Sequence, residues 1–100
     1  MSEQRRSKRF ELRLPLELVR SGSERVSQMC ETKNVSSNGV LFKTSLPIEL
    51  GSAIEYLITL PGGRNGAEVR IRCVGKIIRQ ASDAEIAATL ERYEFVRNGR

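Results

Sequence analysis

Apolar and polar residues take turns along most of this chain, and that period of two constrains the fold more than any other feature. Phe10, Leu12, Leu14, Leu16 and Leu18 alternate with Glu11, Arg13, Pro15, Glu17 and Val19. Successive side chains of an extended strand point to opposite faces, so this run reads as a strand with one buried face. Pro15 falls on the other face, and its missing amide proton predicts an edge position or a bulge. The pattern returns from about Val26 to Lys33, with Val26, Gln28, Cys30 and Thr32 on one face, and again over Val40 to Thr44. From Ala53 to Leu60 it sets Ile54, Tyr56, Ile58 and Leu60 in register. A longer run, Ala67 to about Gln80, places Val69, Ile71, Cys73 and Ile77 inward and Arg70, Arg72 and Lys76 outward. Gly75 interrupts that run and predicts a bulge or coil. Turn chemistry separates the runs at Ser21-Gly22-Ser23, between Pro47 and Gly51, at Pro61 through Gly66, and at Ala81 to Ala84.

The final run, Glu85 to about Phe95, alternates through Ile86, Ala88 and Leu90. Ala84 to Tyr93 also holds good helix formers, and Ile86 with Leu90 is an i, i+4 pair, so a terminal helix is the alternative. A strand is preferred, because the preceding strand needs a partner and the turn between them is short. Six such runs predict an all-β fold, a six-stranded antiparallel β-barrel whose closure removes edges that would otherwise aggregate. The 100 residues suit one small domain with a modest core. The barrel is expected over residues 10–96. Residues 1–9 are expected to form a flexible arm, since Met1 to Lys8 offers almost no apolar surface to pack.

Charge and composition narrow the function. Seventeen basic against 12 acidic residues give a net charge of +5, which favours anionic partners without choosing among nucleotide, nucleic acid and membrane. No stretch approaches the ~20 apolar residues of a membrane span. The basic N-terminus lacks an apolar signal core, so the expected location is cytoplasmic. Histidine is absent, which removes the commonest general base and metal ligand. Two distant cysteines, Cys30 and Cys73, do not make a zinc site and read as reduced core residues.

Two short polar segments stand out against the strands. Arg5-Arg6-Ser7-Lys8-Arg9 precedes the first run, and Asn34-Val35-Ser36-Ser37-Asn38-Gly39 joins the second to the third. The guanidinium fork matches the O6 and N7 acceptors of guanine, and its flat face stacks on a base. Arg5 and Arg9 share a face of an extended chain. Arg6 points elsewhere, toward a phosphate. The Asn34 amide and the Ser36 hydroxyl each donate and accept, and Gly39 permits a positive φ and a close backbone approach. Each segment also has an ordinary reading. A basic N-terminal stretch is commonly a solvated tail, and Asn-Gly is commonly a hairpin turn.

In combination and order the two segments resemble the PilZ domain family, whose pattern is RxxxR followed some 20 to 30 residues later by [D/N]xSxxG on a six-stranded barrel. Arg5 and Arg9 match the first motif, with Arg6 doubling its first arginine. Asn34, Ser36 and Gly39 match the three fixed positions of the second. The resemblance implies a non-catalytic receptor for the bacterial second messenger cyclic di-GMP. Arg5, Arg6 and Arg9 would contact guanine and phosphate from the arm, and Asn34, Ser36 and Gly39 would hold the other guanine from the barrel. It implies a downstream protein that reads the liganded shape, and no cofactor beyond the ligand. Many members end in a helix, whereas here only a few polar residues follow Val96.

Two other readings remain. A basic barrel could bind single-stranded nucleic acid, although such barrels interleave exposed aromatics with basic residues and this chain has only five aromatics, with Phe10 and Phe42 in apolar strand positions. A degenerate barrel could bind protein alone. Catalysis has no visible team of nucleophile and base.

Overall fold

Each alternating run forms a strand, and the strands join into one antiparallel sheet that closes on itself. The structure is a computed structural model and describes residues 12–44, 49–60, 68–80 and 84–96. In chain order the strands are β1 (Pro15–Ser21), β2 (Glu24–Val35), β3 (Gly39–Lys43), β4 (Ala53–Leu60), β5 (Val69–Gln80), β6 (Glu85–Thr89) and β7 (Arg92–Val96). Neighbours follow the order β4-β1-β2-β3-β6-β5, and pairing of β4 with β5 closes a six-stranded barrel. β7 is an extra strand that pairs with β5.

The buried face is the one the alternation marks. Leu16, Leu18, Phe42, Ile54, Tyr56, Cys73 and Ile77 are almost fully enclosed, and Leu14, Val40, Ile58, Ile86 and Ala88 complete the cluster. Phe42 and Tyr56 stack with ring centroids 6.3 Å apart. Both cysteines are free; burial pushes the Cys73 thiol up to about 11 and the half-buried Cys30 thiol in the same direction. Among the described residues no helix is long and apolar enough to cross a membrane.

Three expectations need correction. β1 is not an edge strand: it lies between β2 and β4. Pro15 is tolerated because it is the strand's first residue and pairs only with Glu31, while the irregularity of β1 falls between Leu18 and Arg20. The last run is not one strand from Glu85 to Phe95, nor a helix; it breaks at Leu90-Glu91 into β6 and β7. Gly75 does not itself carry a register shift: that of β5 against β6 falls between Ile77 and Arg79, and Gly75 pairs regularly with Ile54.

The cause of the break is local packing at Gly75. A Cβ there would sit 1.8 Å from the Thr89 carbonyl oxygen, so only glycine lets the end of β6 come this close to β5. The buried Tyr56 hydroxyl donates to that same carbonyl at 3.0 Å. The Lys76 amide donates to Thr89 Oγ1 at 2.9 Å, and the Glu91 amide donates to the Val74 carbonyl at 2.9 Å. Held at these points, the chain turns and continues along the first half of β5, where Arg92 pairs with Val74 and Val96 with Arg70. The barrel thus keeps six staves, and the seventh strand pairs with β5 alone among the described strands.

Candidate functional site

Asn34, Ser36 and Gly39 are brought together at the hairpin between β2 and β3. The register of that pair shifts between Thr32 and Asn34. One extra residue in a strand reverses which face the following side chains occupy. Thr32 is therefore buried, as is usual for its parity, and Val35 packs against the core while Asn34 between them is turned outward and half-exposed. The Asn34 side-chain amide makes no hydrogen bond to another described residue, so its donor and acceptor are open to solvent.

The turn itself is fastened by Ser36. Its amide donates to the Gly39 carbonyl at 2.9 Å, and its Oγ accepts the Asn38 amide at 3.2 Å. A serine hydroxyl bonded two residues on is a recognised way to fix a tight turn. Ser37 and Asn38 are exposed at the tip, and the Asn38 carbonyl accepts the Leu90 amide at 2.8 Å. The turn therefore rests against the β6–β7 junction.

Gly39 keeps one half of its sequence reading, the close backbone approach, and not the other. Positive φ is found at Gly22 (63°) and Gly51 (84°) among the described residues, and not at Gly39. What glycine provides here is room: a Cβ would lie 2.6 Å from the Ala88 carbonyl oxygen of β6. The close approach is between two strands of the barrel.

Arg5, Arg6 and Arg9 lie outside the described residues. The chain that follows them is fixed by a side chain that sequence reasoning did not single out. Thr32 is 2% exposed; its hydroxyl accepts the Leu14 amide at 2.8 Å and donates to the Leu12 carbonyl, while its own amide donates to the Leu14 carbonyl at 2.9 Å. The signal was present, since a hydroxyl on the inward face of an apolar strand must find a partner. The partner it finds is the backbone leading into β1. Leu12 is thereby set beside the end of β2, two residues before Asn34.

Charges around the hairpin are few and partly neutralised. Lys33 pairs with Glu85 at 2.7 Å, and that hydrogen bond holds the Glu85 carboxyl below the usual carboxylate range. On the outer face of β1 and β5 three arginines, Arg20, Arg70 and Arg72, are committed to carboxylates. Arg20 and Arg72 converge on Glu55 at 3.5 and 2.6 Å, Arg72 also reaches Glu94 at 3.3 Å, and Arg70 reaches Glu17 at 3.7 Å. An open groove on this face is lined by Glu55, Arg72, Val74, Glu91, Arg92, Tyr93 and Glu94. It contains none of the residues the motifs single out. No cluster of three or more potential metal ligands occurs among the described residues.

The PilZ domain family matches residues 3–98, nearly the whole length. The chain belongs to that family. No curated protein matches it.

Proposed function

We propose that this PilZ domain is a non-catalytic receptor for cyclic di-GMP that signals to a partner protein. The observation that carries the reading is the Thr32 clasp, which sets Leu12 beside the hairpin bearing Asn34 and Ser36. Two residues lie between Arg9 and Leu12, and an extended chain covers at most ~3.6 Å per residue, so chain length keeps Arg9 within about 11 Å of Leu12. Arg5 and Arg6 follow within reach of the same place. Asn34 offers an unengaged amide there for a guanine edge, and the tip of the turn offers polar groups for ribose or phosphate. Arg20, Arg70 and Arg72 are engaged by Glu17, Glu55 and Glu94, and the Arg5–Arg9 cluster is a concentrated cation source suited to two phosphates.

Titration calorimetry of cyclic di-GMP into the full chain tests this. Saturable binding is expected. Each charge-assisted hydrogen bond contributes roughly 1.5–3 kcal/mol before ordering costs, so Arg9→Ala weakens binding more than tenfold. Asn34→Ala weakens it less. Unchanged affinity in Arg9→Ala defeats the reading. Salt-dependent retention on single-stranded nucleic acid without saturable dinucleotide binding would favour the nucleic-acid alternative.

A further inference from the structure

β7 is the one described strand with a single partner strand, and its side chains are unusual for an edge. Among the described residues it pairs only with β5. Tyr93 and Phe95 share one face and are 61% and 66% exposed, packed edge-to-face at 6.1 Å. They oppose Cys73 and Ile71 of β5, so the face they carry continues the inner face of the barrel past its wall. Arg92 and Glu94 occupy the opposite face, both exposed.

Charged residues on an edge strand usually block pairing with another chain. Here one charge of each sign is placed two residues apart. Antiparallel pairing of two β7 strands about a twofold axis requires residues of the same parity to face each other. Setting Glu94 against Glu94, or Arg92 against Arg92, opposes like charges. The register centred on Tyr93 sets Arg92 against Glu94 twice and brings each Tyr93 diagonal to the other chain's Phe95. Opposed unlike charges and aromatic neighbours both stabilise cross-strand pairs. The charges therefore disfavour the two registers on either side and favour the one centred on Tyr93, where both cross-strand pairs are of opposite charge.

We propose that β7 is a self-association edge: two copies of this chain join their β7 strands antiparallel, in register at Tyr93, and extend the β5–β7 sheet across a twofold axis. Five residues on each side bury well under about 1,200 Å² in total, so the dimer is weak and concentration-dependent. The proposal does not depend on the ligand.

Sedimentation velocity over a wide concentration range tests it on the full chain. The wild-type mass is expected to rise toward twice that of the chain. Arg92→Glu and Glu94→Arg are each expected to weaken association at least tenfold, because each places like charges in both cross-strand pairs. Mixed in equal amounts, the two variants restore the complementary pairs and dimerise with each other, which also shows that both are folded. A wild type that stays monomeric overturns the proposal, whether another segment of this chain, a different protein or a nucleic acid covers the aromatics. So do single variants that associate as well as wild type, or a mixture that does not recover.

Discussion

β6 and β7 follow one another in the chain and share β5 as a partner, yet they occupy different environments. β6 is paired on both sides, with β3 and β5, and buries Ile86, Ala87 and Ala88. β7 is paired on one side, and only its last residue, Val96, is better than exposed. Strand pairing alone does not exclude water from a side chain. Enclosure requires a second wall, which the barrel supplies to β6 and not to β7. The difference begins after Thr89, where β3 has ended at Gly39 and the chain continues along β5 alone.

The largest test of this contrast removes the space at Gly75. Gly75→Val puts side-chain atoms where the Thr89 carbonyl stands, and a backbone neighbour cannot swing aside as a side chain can. Overpacking ordinarily costs about 1–3 kcal/mol, and a clash with backbone belongs at or above the top of that range. For a domain whose total stability is of the order of 5–15 kcal/mol, the urea midpoint falls steeply. A midpoint equal to wild type would mean that the β6–β7 bend is not set by this contact.

A smaller effect is expected from Tyr56→Phe. The ring and its stacking on Phe42 stay, and only the donor to the Thr89 carbonyl is lost. One hydrogen bond contributes about 1 kcal/mol net, with more lost if the carbonyl is left without a partner. Equilibrium unfolding should show a loss of about 1–2 kcal/mol, and hydrogen exchange should show it as faster opening of β7 than of β6. Equal acceleration in both strands would argue that the tyrosine stabilises the barrel as a whole.

These two residues mark how far the sequence could be read. Period two identified the strands and, at Leu16, Ile54, Ile58, Cys73 and Ile77, the inward face, because a half-buried strand leaves that signature whatever its neighbours. The β6–β7 break was hidden because Ile86, Ala88 and Leu90 keep the same period up to the bend, and the cause lies on another strand. Gly75 was legible as an anomaly but not as a contact with Thr89. At the hairpin, the motif located Asn34, Ser36 and Gly39, and the structure describes them at one turn. The close backbone approach expected at Gly39 is present and the positive φ is not; that the neighbour is Ala88 depends on a pairing 49 residues distant in sequence that no local pattern reports. Thr32 was placed on the correct face, but its grip on Leu12 and Leu14 follows from strand order, which period does not encode.

The smallest expected effect concerns charge. Glu85 opens β6 and receives a hydrogen bond from Lys33 of β2, across strands that are not direct neighbours in the sheet; Glu94 of β7 is held, among the described residues, by Arg72 of its partner strand. The Lys33 contact lowers the folded-state pKa of Glu85 below its ordinary value. A depressed carboxyl pKa contributes stability that is present above the unfolded value and is lost as pH falls through the folded one. The contribution is therefore intact at neutral pH and disappears in the acid range. Both groups are solvated, so the effect on unfolding is slight and salt-sensitive. NMR titration of the Glu85 carboxyl should give a midpoint below that of an ordinary glutamate, and Lys33→Ala should move it upward. A midpoint unmoved by that substitution would place the cause elsewhere, with Lys43 a second cation whose charge lowers the same carboxyl.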